Sequence, residues 1–320
     1  MQGSRMEGRL SSVVTLAVFL VIAQSVALLL ALPFVQADLE VFSDPGDVSN
    51  VLLYVGLILI MTGIILFVVK IKRERALKHL ILGAFGLTTL MVFHVVIFLV
   101  LGYMGVDPDT AATVAFILGI CLAIVVIVLL YKYPEWYVVD FVGVCVAAAV
   151  ASILGISLLI LPVFVLLILL AIYDAISVYK TKHMITLADA VTQERLPVLL
   201  VVPTKKGYSF RKQKSLKAQI EKKEERDATF MGLGDIVIPG VLVVSAFRWL
   251  PSSGGLGPFP NIFVAVFTLL GCLGGFLVLM RFVMKGNPQA GLPLMNGGAI
   301  LGYLLSYLVF YPGDFTFGLI

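Results

Sequence analysis

Apolar runs of about 20 residues, separated by short polar breaks, recur along nearly the whole chain, and that length is what a helix needs to cross a bilayer. The first run is Leu10 to Phe34, then Val51 to Val69, Leu77 to Gly102 and Ala111 to Leu130. Tyr137 to Val178 is too long for one crossing of a core about 30 Å thick, so a break is placed near Gly155–Ser157, giving spans five and six. Spans seven, eight and nine run from Thr229 to Arg248, Ile262 to Met280 and Leu292 to Phe310. The pattern therefore predicts an all-α polytopic membrane protein with nine transmembrane helices. It falls into residues 1–180 (six spans), a polar loop 181–228, and residues 229–320 (three spans).

Composition supports this: 60% of residues are hydrophobic and 13% charged, against about 25% charged in soluble domains. The placement of charge tells more than the net +4. With the amino terminus cytoplasmic and nine spans, Arg5, Arg9, Lys70, Lys72, Arg73, Arg75, Lys78, Lys132, Arg281, Lys285 and the Lys180–Arg226 cluster all face the cytoplasm. Of the cations, Arg248 falls outside, where Asp38, Glu40, Asp44, Asp47, Asp107, Asp109 and Asp314 also lie. Lys132 and Lys180 share a side only if the long run between them is split. Val35-Gln36-Ala37 resembles a signal-peptide cleavage site. The apolar run before it exceeds the 7–15 residues of a signal core, so span one is expected to be retained.

Cys121, Cys145 and Cys272 lie in apolar runs, and His79, His94 and His183 have no ligand spacing. Core packing is expected of the cysteines; no metal and no cofactor are expected. The basic loop reads as a solvated cytoplasmic segment, not a nucleic-acid surface. Within it, Leu196–Pro203 is short and rich in β-branched residues: either a small strand beside the membrane or a segment packed on helix ends. Gly271-x-x-x-Gly275 and Gly298-x-x-x-Gly302 predict close helix contact. His94 reads as a structural histidine. Asp140 stands at the cytoplasmic start of span five.

Two acids lie clearly inside spans, Asp174 in span six and Asp235 in span seven. A carboxylate at the bilayer centre costs about 2.5–3.5 kcal/mol on insertion scales, so intramembrane acids point to function. Both sit roughly 9 Å in from the same side, at 1.5 Å per residue, on antiparallel neighbours. Such a pair shares one proton and can activate water against a peptide carbonyl. By themselves the acids also fit a structural or proton-relay pair.

The neighbouring residues favour hydrolysis. Tyr173 precedes Asp174, and Gly232-Leu233-Gly234 precede Asp235, where missing side chains admit another backbone. Tyr-Asp, Gly-Leu-Gly-Asp and the basic loop between them resemble, in order, the GxGD aspartyl proteases of the presenilin and signal peptide peptidase family, particularly archaeal homologues. Pro293-Leu294-Met295 stands where that family carries Pro-Ala-Leu, with only the proline identical. The resemblance implies an intramembrane aspartic endopeptidase without metal or organic cofactor. Asp174 and Asp235 would be catalytic, with Tyr173, Gly232, Leu233, Gly234, Pro293, Leu294 and Met295 positioning substrate. The partners it implies are transmembrane peptides or membrane-protein substrates in the bilayer. Leu196–Val202 is the candidate strand edge for holding substrate extended. Two rivals remain: a prepilin-type peptidase, and a proton-coupled transporter or ion leak channel using the same acids.

Overall fold

The computed structural model describes residues 2–71, 74–181, 188–189, 191–205, 207–213, 227–284 and 289–319. Lys72, Arg73, His183, Lys285 and the basic stretch 214–226 lie outside them. The helices are α1 (Gln2–Gln36), α2 (Ser49–Lys70), α3 (Glu74–Tyr103), α4 (Pro108–Lys132), α5 (Trp136–Ser157), α6 (Ile160–Ile176), α7 (Leu233–Trp249), α8 (Pro260–Val283) and α9 (Leu292–Phe310). Among the described residues, eight helices are long and apolar enough to cross a membrane. One of the eight is α6 extended by the turn that follows it to Lys180; the ninth helix, α7, has 17 residues.

The long fifth run breaks where the glycine and serine suggested. Leu158 is extended, and Ser157 accepts the Val41 amide at 2.9 Å through its hydroxyl. Leu159 donates to the Pro45 carbonyl at 3.0 Å, and Ser245 caps the Leu158 carbonyl at 2.9 Å. The Leu158 carbonyl and the Leu159 amide at the break are thus satisfied within the protein, as hydrocarbon surroundings require.

Two expectations need correction. The structure is not purely α-helical: β1 (Leu199–Pro203) pairs antiparallel with β2 (Ala228–Gly232), from Leu199 opposite Gly232 to Pro203 opposite Ala228. Consequently α7 starts at Leu233, not at Thr229. The apolar composition of Thr229–Gly232 suits either state. β-Branched Val201 and Val202 offer it a strand partner, and the glycines at 232 and 234 discourage an earlier helix start.

Toward the bundle, α1 presents Leu16, Leu20, Ala23, Ala27, Ala31 and Phe34, all buried and spaced three or four residues apart. It packs on α5 and α7. Small residues let α5 and α7 approach closely. A Cβ on Gly155 would lie 2.7 Å from Val244 Cγ1 and 3.0 Å from the Val241 carbonyl oxygen, and one on Gly240 would lie 3.3 Å from Ala151 Cβ. The paired glycine runs of α8 and α9 do meet: a Cβ on Gly271 would sit 2.9 Å from Gly302 Cα, and one on Gly275 would sit 3.0 Å from Met295 Cα. Cys272 is buried, whereas Cys121 and Cys145 are exposed on helix faces turned away from the bundle, contrary to the core placement expected of them. A thiol is apolar enough to face lipid.

Candidate active site

Asp174 lies in the last turn of α6, is 3% exposed, and faces the interior. A single π-helical turn, Ser177–Thr181, follows it. Such widened turns recur at functional sites because they redirect side chains. The Ser177 hydroxyl donates to the Asp174 carbonyl at 2.9 Å, fixing the backbone just past the acid.

Asp235 is the third residue of α7, with Gly232 at the helix cap. The amide of Gly232 faces the Asp235 carboxyl, the geometry of a capping box in which the acid reaches back over the first turn. The unpaired amides of that turn also favour an acid there. Pro239, four residues on, has no amide to give the Asp235 carbonyl, so that carbonyl is left without its intrahelical partner one turn above the site. Gly234 is exposed, and a Cβ built on it would meet no protein atom within 4 Å.

The start of α9 joins the two acids. Leu292 donates its amide to Asp174 Oδ2 at 3.1 Å. The adjacent Gly291 leaves room for the other acid: a Cβ there would lie 2.7 Å from Asp235 Oδ2 and 2.8 Å from its Cγ. Both carboxyls therefore converge on the Gly291–Leu292 peptide, near enough to feel one another's charge. The Tyr179 hydroxyl, in the π turn, donates to Gln289 Oε1 at 2.8 Å and accepts the Ala290 amide at 3.4 Å, holding this segment over the site.

The remaining residues singled out in the sequence fall around this centre. Tyr173 is partly buried beside Asp174. Leu233 is buried and packs near Gly143 of α5. Pro293, in the first turn of α9, and Leu294 line an apolar groove of about 920 Å³ between α8 and α9. Met295 is fully buried against Gly275 of α8.

Three polar supports escaped sequence reasoning. Asn296 is buried and donates to the Leu167 carbonyl at 2.8 Å, tying α9 to α6 one turn from the site. Gln24 of α1 is buried and donates to the Ile236 carbonyl at 3.3 Å, next to Asp235. Gly291 is the third support. The signal was there to find: Gln24 and Asn296 are uncharged amides inside apolar runs, and Gly291 immediately precedes the Leu-Pro start of the last helix.

A family model described as signal-peptide peptidase, presenilin aspartyl protease matches residues 16–311. The chain belongs to that family. No curated protein sequence matches it. Two solved structures resemble it, each described as a presenilin family intramembrane aspartate protease. One, in space group C222, is 36% identical with a TM-score of 0.64, covering 92% of this chain and 98% of the other. The second, in P2, is 37% identical with a TM-score of 0.62, covering 91% and 95%. The protein is thus an intramembrane aspartic endopeptidase, embedded in a membrane through multiple apolar helices.

The contact at Gly291 has a direct consequence. In Gly291→Ala the new methyl must push the Asp235 carboxyl aside; for an Asp235 that takes part in the reaction, as proposed below, a displacement of about 1 Å costs on the order of 100-fold in rate. Cleavage of a reporter transmembrane helix by the purified variant should fall by about that factor while thermal stability stays near the parent's. A parent-like rate would show that α9 has slack at this point.

Proposed function

We propose that Asp174 and Asp235 are the catalytic pair and hydrolyse peptide bonds within or near transmembrane segments of membrane-protein substrates. The observation that carries this reading is the convergence of both carboxyls on the Gly291–Leu292 peptide. With one proton between them, the neutral carboxyl donates to the scissile carbonyl oxygen. The ionised carboxyl takes a proton from water, whose oxygen bonds to the carbonyl carbon. Collapse of the tetrahedral intermediate breaks the C–N bond as a carboxyl returns a proton to the departing nitrogen.

A substrate helix hides its carbonyls in its own hydrogen bonds, so it must unwind before water can attack. The free edge of the small sheet can hold the unwound segment. Leu233 donates to the Val198 carbonyl and Thr204 to the Asp227 carbonyl. Antiparallel alternation then makes Leu200 with Met231 and Val202 with Thr229 the hydrogen-bonded pairs. The N–H and C=O of Phe230 therefore point away from β1, as do those of Gly232, whose N–H is already taken by the Asp235 carboxyl. On the other side of the sheet, β1's outward Val201 amide is taken by Asp140 at 2.7 Å. The edge left for a substrate strand is β2, not Leu196–Val202, and it leads directly to Asp235.

The membrane orientation follows from charge. Nine crossings, with α7 as the seventh, put the amino terminus and the α6–α7 connection in the cytoplasm. On the opposite side, hydrogen bonds from Ser49, Thr110 and Thr316 hold the carboxyls of Asp47, Asp107 and Asp314 below the usual carboxylate range, which keeps that face anionic. A membrane-impermeant thiol reagent applied to intact cells should label a cysteine at Asp109 and spare one at Lys132. The reverse pattern would invert the topology.

For the edge, Phe230→Pro removes an amide that makes no bond to β1. The paired strands should survive, while the KM for a transmembrane substrate should rise about tenfold, the worth of one lost hydrogen bond of about 1.4 kcal/mol. An unchanged KM would rule out strand addition at β2.

For the dyad, Asp174→Asn or Asp235→Asn should each lower cleavage of a reporter helix by at least about 100-fold, since each removes one of two proton-transfer roles. Both variants should remain monodisperse with parent-like thermal midpoints. The parent rate should decline toward both acid and alkaline pH, marking two macroscopic ionisations that belong to the pair. Appreciable turnover by either folded variant would defeat the assignment.

A further inference from the structure

Among the described residues, Asp140 is a buried acid of the bundle for which the hydrolytic chemistry has no use. It sits one turn into α5, is 1% exposed, and touches neither Asp174 nor Asp235 by any described hydrogen bond. Its Oδ1 accepts the Val201 amide at 2.7 Å, and its Oδ2 is buried without a hydrogen-bond partner. A half-satisfied carboxyl in a buried helix is costly, and simple packing does not call for it. Its placement explains it. Val201 is the middle residue of β1, and its amide is the outward-facing donor at the centre of that strand. Bridging from a helix backbone to a strand amide takes a short side chain with an acceptor close to the backbone.

The same face of α5 seats the start of α7. A Cβ on Gly143, three residues on, would lie 3.2 Å from Leu233 Cδ2 and 3.6 Å from Leu200 Cδ2. One short stretch of α5 therefore fixes both β1 and the residue two positions before Asp235. The sheet carries this placement across: Val201 stands opposite Phe230, and Gly232, two residues later, faces the Asp235 carboxyl.

We propose that Asp140 is a positioning residue that sets the sheet against the dyad, and so decides which peptide bond of an added substrate strand meets the two carboxyls. The proposal rests on the reading that substrate joins β2. Asp140 acts through Val201 and the strand pair, not on the reacting atoms. Its signature is the position of the cut, which loss of folded enzyme alone does not move.

The test compares the products of a single transmembrane substrate by mass spectrometry for the parent, Asp140→Asn, Asp140→Glu and Asp140→Leu, with Phe230→Pro run alongside. Asn keeps an acceptor at the same reach and should give the parent's cut sites. Glu lengthens the arm by a methylene and Leu removes the acceptor. Both should shift or spread the cut by about one or two residues, since strand register moves in such steps. Parent-like cut sites in the Glu and Leu variants, or a shifted pattern in the Asn variant, would overturn the proposal. So would failure of both Glu and Leu variants to fold, which would make the contact purely structural. A raised KM in Phe230→Pro together with unmoved cut sites in the Glu and Leu variants would remove Asp140's role and leave strand addition standing. An unchanged KM in Phe230→Pro would remove strand addition itself, and with it the basis of the proposal.

Discussion

A carboxyl cannot be left bare in hydrocarbon, and the central architecture of this protein follows from that constraint. Two acids are placed inside the bundle, and each is met by backbone amides at helix ends. Asp235 lies in the first turn of α7 with the Gly232 amide before it, and Asp174 receives the Leu292 amide from the first turn of α9. Helix starts are the natural place to shelter an acid, because their first amides have no partners within the helix. Hence two helices must begin at the depth of the dyad, beside the end of a third.

Bringing three helix ends together requires thin contacts elsewhere, and glycine supplies them. Gly155 and Gly240 let α5 and α7 touch almost backbone to backbone, and the glycine pairs of α8 and α9 do the same for the helix that carries Pro293. Gly291 is the sharpest case: the last helix reaches the acids because that position has no side chain. Buried amides then lock the arrangement, Asn296 to the Leu167 carbonyl of α6 and Gln24 to the Ile236 carbonyl of α7, the latter next to Asp235. Packing between apolar helices in lipid has no hydrophobic drive of its own, so contacts of these two kinds carry the specificity.

The small sheet stands between α5 and the start of α7, beside the two acids. A protease of soluble peptides finds its substrate already extended, whereas one working in a membrane must find or make an extended segment. On the proposed reading, a two-stranded sheet with one edge held to α5 through Asp140 and the other leading to Asp235 turns the backbone groups of Phe230 toward an unwound helix.

Much of this was legible in the residues. The apolar runs placed most helix ends to within a few residues, α1 beginning eight residues before its run, and the split near Ser157 followed from span length, the sidedness of Lys132 and Lys180, and the local glycine and serine. Asp174 and Asp235 stood out because charge in lipid is rare, and Gly271, Gly275, Gly298 and Gly302 because spacing of four defines a helix face. The sheet was harder to see. Ala228–Gly232 is as apolar as the helix that follows, and only its pairing with Leu199–Pro203, across the whole polar loop, makes it a strand, a relation no local pattern expresses. The roles of Gly291, Gln24, Asn296 and Asp140 were likewise decided in three dimensions. Each depends on which group of a distant element lies within about 3 Å, the reach of a hydrogen bond or a close contact. Sequence periodicity determined which residues share a helix; the packing of those helices decided which of them share a site.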